Sequence, residues 1–223
     1  MPNPVNVVIP TKSNFTGLAE LLGDLSLDRA VGTICIVADG QTAFDALPDP
    51  PEHIITITVP EGVGIQHMWN RGIEAVGRDA HIAFLNDDVR LSPECLSSLA
   101  NSLDNDPSIG IICPNYSTVE MTEDRQVFNT CGSRYDGTGG LAGFAMMLRS
   151  DLAKVYSFDE QLTWWYGDDD VLLWVTRTMG MHAVISHAAR CQHADSVTIR
   201  TNPPADFGRL VAEDREYFRA KWL

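Results

Sequence analysis

The sequence lacks any long uninterrupted apolar stretch. Its longest nearly apolar run covers residues 141–148, far fewer than the roughly 18 residues that a membrane-spanning helix needs. The apolar residues 5–9 follow the first residue too closely to leave room for the basic and apolar regions of a cleavable signal peptide. We therefore expect a chain with no transmembrane segment and no secretion signal.

Paired cysteines are missing as well. The chain has five cysteines, an odd number, and no two of them form a Cys-x-x-Cys pair, so the sequence does not suggest a disulfide framework. Most of them lie inside apolar runs, which favours buried, reduced thiols and a cytoplasmic protein. The five are Cys35, Cys95, Cys113, Cys131 and Cys191.

Basic residues are scarce. The chain has 16 Lys and Arg residues against 30 Asp and Glu residues, which gives a formal net charge of -14. A surface of this sign repels a phosphate backbone, so the charge argues against tight, non-specific binding of nucleic acids. The charged residues 206–222 near the C-terminus are closer to balance and are typical of a solvated helix.

The sequence also has no internal repeat, low-complexity tract or recognisable linker. With 223 residues, 44% of them hydrophobic, the chain is long enough for one sizeable core, so we predict a single domain over residues 1–223. The first half alternates predicted strands (5–9, 33–37, 53–59, 81–85, 109–113) with predicted helices (18–25, 64–76, 93–103). This alternation indicates an α/β fold with a mostly parallel, doubly wound sheet.

The second half of the chain is less regular. Residues 114–140 are polar and glycine-rich, which is typical of loops or a small hairpin. They precede a predicted strand (142–148), helix (171–179), strand (182–185) and C-terminal helix (206–222). We expect residues 1–113 to bind a nucleotide and residues 114–223 to face an acceptor.

An amide and two carboxylates, Asn86, Asp87 and Asp88, directly follow the apolar residues 81–85. A strand that is buried on both faces does not hold adjacent acids in its interior, so they belong at its carboxyl end, where open α/β sheets bind ligands. Asn86 and Asp88 are two residues apart and face the same side, which suits a divalent metal. Asn-Asp is equally common in solvated turns, and the triplet alone does not decide between these interpretations.

A second acidic run, residues 168–170, follows the aromatic residues 164–166. These carboxylates can cap the next helix, because they satisfy its free N–H groups and its dipole. Alternatively, one of them is a general base that deprotonates an acceptor hydroxyl beside an aromatic platform on which a sugar or base stacks.

One histidine is singled out by its position. A lone histidine is more often structural than a ligand, and we interpret the other five in this way. His193 differs because it follows the predicted strand 182–185 after a short segment, so it can return to the same edge of the sheet. Imidazole is an acceptable ligand for Mn²⁺.

These segments resemble the family 2-type glycosyltransferases with the GT-A fold over nearly the whole chain. Residues 7–11 are similar to the family's first strand, residues 37–40 to its V-D-D-G nucleoside-binding segment with Ala38 in place of the first acid, and residues 70–73 to its R-N-x-G-I helix. Residues 85–89 resemble the D-x-D metal motif in its N-x-D form.

The second half carries the same resemblance. Residues 143–148 resemble the strand that precedes the acceptor site. Residues 158–160, the pair Asp168-Asp169 and Gly180 follow the family's F-D-E, E-D-x-D-L and G order, and His193 lies thirteen residues beyond Gly180, where the family has its late histidine. The final residues 218–222 resemble an F-x-x-K-W ending.

The resemblance implies roles for particular residues. Asp169, with Asp168 beside it, is the catalytic base, and Asp88 and His193 are ligands of Mn²⁺ or Mg²⁺. Contacts to the nucleotide-sugar donor are implied for Pro10, Thr11, Asp39, Asn70, Asn86 and Asp87. Contacts to the acceptor are implied for Trp164, Trp165, Tyr166 and Asp170.

The expected function is that of a metal-dependent, inverting glycosyltransferase whose donor is a UDP- or dTDP-sugar. One alternative is a nucleotidyltransferase, although residues 11–14 lack the glycines of a phosphate-binding loop. The other alternative is a sugar-binding module without turnover. The acceptor stays open between a soluble glycan, a protein side chain and a hydroxymethylated base in nucleic acid.

Overall fold

The strands of the protein form one central sheet. A computed structural model describes residues 3–47, 53–130, 140–194 and 206–223. Within these ranges the sheet has nine strands: β1 (Val5–Thr11), β2 (Val31–Asp39), β3 (Ile54–Val59), β4 (His81–Leu85), β5 (Val89–Leu91), β6 (Ile109–Asn115), β7 (Arg125–Val127), β8 (Ala145–Leu148) and β9 (His182–His193). Their order is β3-β2-β1-β4-β8-β6-β9-β5, and β7 also pairs with β9.

Most of these strands run in one direction. β1, β2, β3 and β4 pair in parallel, and β6 pairs in parallel with β9. β8 lies between β4 and β6 and is antiparallel to both, so β6 and β9 keep the direction of β4. The predicted α/β fold with a mostly parallel sheet is therefore confirmed. Because β1 has β2 on one side and β4 on the other, the chain changes direction of winding at β1, which is where open sheets form a crevice.

The helices cover both faces of the sheet. They are α1 (Phe15–Ser26), α2 (Gln41–Asp45), α3 (Ile65–Val76), α4 (Cys95–Asn105), α5 (Ser150–Ala153), α6 (Gly167–Leu173), which continues as a π-helical turn (Trp174–Thr178), and α7 (Phe207–Trp222). α1 and α4 bury their apolar residues in one core cluster, whereas α3, α5 and α6 bury theirs in another. Successive residues of β1 alternate between the two clusters, Val7 and Ile9 in one and Val8 in the other. The result is the expected three-layer sandwich.

Several element boundaries differ from the predicted ones. β8 begins at Ala145 rather than at residue 142, because a turn closed by Ala145 N donating to Ala142 O precedes it. α6 begins at Gly167, so the three aspartates lie in its first turn. β7 pairs with β9 rather than within a local hairpin. β9 runs on to His193 instead of ending at residue 185.

Two other expectations can be compared with the structure. Cys35, Cys95, Cys113 and Cys191 are buried, as expected, and Cys131 lies outside the described residues. Among the helices that the structure describes, none combines the length and apolar character needed to cross a bilayer.

Candidate active site

Asp88 and His193 meet at the carboxyl edge of the sheet. β5 pairs antiparallel with the end of β9, and this register sets Val89 opposite His193. Ala194 N donates a hydrogen bond of 3.1 Å to Asp88 O. The pairing brings Asp88 Oδ1 to 3.0 Å from His193 Nε2, and both side chains are largely buried. The ring of Phe144 stacks on the imidazole with centroids 4.1 Å apart, so it holds the ring plane of His193.

The neighbouring carboxylate, Asp87, is tied to the end of β1. Thr11 Oγ1 donates to Asp87 Oδ2 at 2.7 Å, and Asn14 Nδ2 donates to Asp87 O at 3.1 Å. Burial raises the pKa of Asp87 to about 6, although the Thr11 hydrogen bond opposes the shift. Asn86 N donates to Phe144 O at 2.9 Å, which joins the strand end to the residue that covers His193.

Asp39 lies at the end of β2, the next strand along the same edge. Its carboxylate accepts a hydrogen bond from Gly62 N at 2.7 Å and contacts Lys12 Nζ at 3.1 Å. Pro10 is buried within β1, where it pairs with Val37 of β2. The carboxyl ends of β1, β2 and β4 thus bring together five of the six residues assigned to donor binding, since Thr11, Asn86 and Asp87 belong to the same edge.

Asn70 is engaged elsewhere. Its side-chain nitrogen donates to Phe158 O at 2.9 Å and to Glu160 Oε1 at 2.8 Å, and its side-chain oxygen accepts from Phe158 N at 2.8 Å. The amide therefore fastens α3 to the segment that leads toward α6. In this structure the Asn70 amide is occupied by these three hydrogen bonds, which order that segment.

Asp168 lies beside Gly143, the residue before the Phe144 that stacks on His193. A β-carbon added at Gly143 would lie 2.6 Å from Asp168 Cβ, so the Asp168 side chain packs directly on the backbone of the residue before Phe144. Burial, together with the charge of Asp169, raises the pKa of Asp168 well above its ordinary value. Asp169 Oδ1 accepts a hydrogen bond of 2.9 Å from Thr130 Oγ1.

Asp170 has different partners from its two neighbours. It is buried, and its Oδ1 atom accepts from Trp222 Nε1 at 2.7 Å and contacts Lys221 Nζ at 2.7 Å. Tyr156 OH donates to its Oδ2 atom at 3.3 Å. Asp170 is therefore bound to α7.

The aromatic residues before α6 are partly accessible. Trp165 is 38% exposed, and its ring lies 6.1 Å from that of Phe207. Tyr166 stacks on Phe218 with centroids 5.0 Å apart, and Trp164 is partly buried. Ile65 N at the start of α3 donates to Thr163 O at 2.9 Å, so this aromatic segment is attached to α3.

The Asp88 and His193 pair suits a divalent cation. A carboxylate and an imidazole are both accepted by Mn²⁺, and their 3.0 Å separation matches the distance of about 3.0 Å between adjacent ligands of an octahedral ion with bonds of about 2.1 Å. Among the described residues, no three His, Cys, Asp or Glu side chains converge to hold an ion on their own. Such a cation would take its remaining ligands from water and from donor phosphates, as is usual for Mg²⁺.

The mixed α/β sandwich has the GT-A type of glycosyltransferase fold, which solved glycosyltransferase structures share. Residues 7–155, well over half of the chain, match the family model described as glycosyl transferase family 2. The chain belongs to that family. The predicted membership of a glycosyltransferase family is thereby confirmed. A comparison with curated proteins finds no significant match.

Solved structures show the same fold at low sequence identity. GalNAc-T7, in a crystal structure with UDP, GalNAc and Mn²⁺, has a TM-score of 0.66 and 12% identity, and the match covers 97% of this chain and 50% of that one. The mannosyltransferase PcManGT from Pyrobaculum calidifontis, in complex with GDP-Man and Mn²⁺, has a TM-score of 0.62 and 15% identity, with 87% and 57% covered. S. aureus TarS 1-349 has a TM-score of 0.59 and 14% identity, with 95% and 70% covered. This chain thus spans only about half the length of the first two proteins.

Three contributors to the site were missed by reasoning from the sequence. Phe144 covers His193, Gly143 admits Asp168, and Thr130 binds Asp169. The Gly-Phe pair directly before a buried strand was a usable signal, since a glycine there indicates a close approach. Thr130 carries no such signal, because its partner is far away in the sequence.

Proposed function

We propose that this chain transfers a glycosyl group from a nucleotide-diphosphate sugar to an acceptor hydroxyl. The observation that carries the proposal is the contact between Asp88 and His193, which are far apart in sequence and meet at 3.0 Å beside the ends of β1 and β4. A buried carboxylate and imidazole beside a crevice suit a diphosphate and its cation better than they suit an apolar ligand.

The donor would occupy the edge of the sheet between β2 and β4. Asp39, positioned by Gly62 N and Lys12, would contact the nucleoside, while Thr11, Asn86 and Asp87 would border the diphosphate. UDP or dTDP is the proposed carrier. The presence of UDP with GalNAc-T7 and of GDP-Man with the mannosyltransferase supports a nucleotide-sugar donor without selecting the base.

The proposed reaction needs a base and a stabilised leaving group. A bound Mn²⁺ or Mg²⁺ supplies charge neutralisation for the departing nucleoside diphosphate. Asp88 and His193 would hold that ion, and Phe144 keeps the imidazole in its plane by stacking.

The base would come from the adjacent pair Asp169 and Asp168. Asp169 takes the proton of the acceptor hydroxyl, whose oxygen attacks the anomeric carbon opposite the diphosphate, so that configuration inverts. The raised pKa of Asp168 supports a base in this turn, because it indicates surroundings that favour a protonated carboxyl group. Replacing Asp169 by Asn should lower turnover on the order of a hundredfold or more with donor binding retained, and unchanged turnover would remove Asp169 from this role.

The acceptor would lie on the aromatic segment before α6, with Trp164, Trp165 and Tyr166 as the stacking surface. The partial exposure of Trp165 supports this assignment. A soluble glycan, a protein side chain and a hydroxymethylated nucleobase remain the candidate classes, and a cytoplasmic location stays a prediction.

Thermal unfolding with a panel of nucleotide sugars, with and without Mn²⁺, tests the donor site. A ligand at about 100 times its Kd stabilises the folded state by about 2.7 kcal/mol, so one donor should raise the Tm only when Mn²⁺ is present. Asp88→Asn and His193→Gln should lose this rise, whereas Asp79→Asn, at a fully exposed side chain, should keep it. Equal donor stabilisation with and without Mn²⁺, or in all three variants, would contradict the proposed site.

Product analysis separates the proposed function from its alternatives. Release of free nucleoside diphosphate from the stabilising donor supports glycosyl transfer or its hydrolytic side reaction, whereas release of pyrophosphate supports a nucleotidyltransferase. Donor binding with neither product over hours would favour a binding module without turnover.

A further inference from the structure

The C-terminal helix α7 docks on the protein through polar side chains. Of its residues, all of which the structure describes, only Asp214 and Phe218 are buried. A helix held mainly by the hydrophobic effect buries a continuous apolar stripe, but Leu210 and Val211 of α7 are only partly covered. Much of the attachment of α7 therefore comes from hydrogen bonds and ion pairs, whose strength depends on geometry.

The first of these contacts is made by Asp214. Its carboxylate accepts three backbone hydrogen bonds, from Thr163 N at 2.9 Å, from Trp164 N at 2.8 Å and from Trp165 N at 2.9 Å. The side chain is buried, so these N–H groups have exchanged water for one charged acceptor, which makes the bonds strong. Asp214 thus orders the backbone just before the turn that carries Asp168 and Asp169.

The second contact is made by the last residues of α7. Lys221 Nζ lies 2.8 Å from Asp159 Oδ2 and 2.7 Å from Asp170 Oδ1, and Trp222 Nε1 donates to the same Asp170 oxygen at 2.7 Å. One ammonium group therefore links two carboxylates that lie on either side of the catalytic pair in the sequence. Removing Lys221 would leave the buried Asp170 carboxylate without its neutralising group.

A third contact lies between these two. Tyr166 has a left-handed backbone conformation with φ of 65°, which is uncommon for a bulky residue and persists only when its surroundings hold it. Its ring stacks on Phe218, and Arg215 Nε donates to its hydroxyl at 3.2 Å. Both partners belong to α7.

We propose that α7 positions the Asp168 and Asp169 pair, with Asp214 holding the backbone before the pair and Lys221 and Trp222 holding Asp170 after it. This inference rests on the proposed function, because it gives α7 the role of positioning carboxylates for the transfer reaction. It also assigns a role to the F-x-x-K-W ending, whose Lys and Trp are two of these contacts. The residues of α7 are positioning residues, and none of them needs to touch a substrate.

Two conservative variants test the proposal. Asp214→Asn keeps the shape of the side chain but replaces one accepting oxygen by an amide nitrogen, and Trp222→Phe removes the indole donor while keeping an aromatic ring. Glu216→Gln, at an exposed position of the same helix, is the matched control. In both test variants kcat should fall about tenfold to a hundredfold, since a small misplacement of a reacting group has costs of this order, with the donor KM nearly unchanged. Asp214→Glu, which retains the carboxylate, should recover part of the lost turnover.

Amide hydrogen exchange provides a readout that does not depend on turnover. In Asp214→Asn, exchange should become faster at residues 163–165 and also at residues 168–170, while the control stays at the wild-type rate. A lower Tm with kcat unchanged would mean that α7 only stabilises the fold and would overturn the proposal. If the wild type releases no nucleoside diphosphate from any donor, the proposed function fails, whereas unchanged exchange at residues 168–170 in Asp214→Asn overturns the positioning inference.

Discussion

Replacing Gly143 by Ala should displace Asp168 without otherwise disturbing the fold. The backbone of Gly143 does not have a positive φ, so alanine is compatible with its conformation. The added β-carbon would lie 2.6 Å from Asp168 Cβ and 2.7 Å from Asp168 Cγ, whereas ordinary carbon contacts are about 3.5 Å or longer. A new rotamer cannot relieve this overlap, because Asp168 Cβ itself is too close.

The turn carrying Asp168, or the turn at Gly143, must therefore move by about 1 Å. Asp169, the proposed base, follows directly in the same turn, and a displacement of this size in a reacting group can lower the rate about a hundredfold. Overpacking at a tight contact costs typically about 1–3 kcal/mol, which is less than the stability of an ordinary domain, about 5–15 kcal/mol. We therefore expect Gly143→Ala to fold, to bind the donor with Mn²⁺ and to lose about two orders of magnitude in kcat.

The assay is turnover of the stabilising donor, measured as nucleoside diphosphate released and compared with donor binding by thermal shift. Gly23→Ala is the matched control, because a β-carbon there has no heavy atom within 4 Å; its kcat should equal that of the wild type. The reasoning would be refuted by a folded Gly143→Ala protein whose kcat stays within about threefold of the wild type, since Asp168 would then tolerate displacement.

Two further predictions concern stability. The pKa of Asp168 is raised in the folded state above its ordinary value of 3.8, so ionising this carboxyl at higher pH destabilises the fold. Asp168→Asn should therefore raise the Tm, measured by circular dichroism, at about pH 8 and raise it less at about pH 4. An equal change of Tm at both pH values would contradict the raised pKa. Gly72→Ala would place a β-carbon 3.0 Å from Val8 Cγ2 and 3.1 Å from Val8 Cβ, with Val8 Cγ1 closer still. Because Gly72 and Val8 both lie in the core, the free energy of unfolding should fall by about 1–3 kcal/mol. Urea denaturation measures that loss, and an unchanged midpoint relative to Gly23→Ala would show that α3 can move off β1 freely.

Several motif residues have structural explanations that follow from these contacts. Gly72 lets α3 approach β1 closely, and Asn70 in the same motif fastens α3 to Phe158 and Glu160. Glu160 also accepts from His67 Nδ1 at 2.8 Å. α3, in the first half of the chain, is thus joined to residues 158–160 in the second half.

The sequence by itself determined the fold class and one edge of the site. The polar residues after the apolar run 81–85 located the strand end that carries the 86–88 triplet, because burial excludes charges from the middle of a strand. The family resemblance pointed to Thr11 and Asp39. The same resemblance, through the interval from Gly180, pointed to His193. These are local signals, each contained within a few consecutive residues or one regular interval.

The tertiary structure alone decided which distant side chains share a contact. The predicted strand 182–185 continues to His193 because its outer half pairs with β5, a non-local partner that no apolar run announces. The C-terminal helix was correctly predicted, yet the expectation of a solvated helix was incomplete, since Asp214 is buried and Lys221 and Trp222 bind Asp170. Hydrogen bonds and ion pairs act over about 3 Å, and the pattern of one segment contains no information about which other segment lies within that distance.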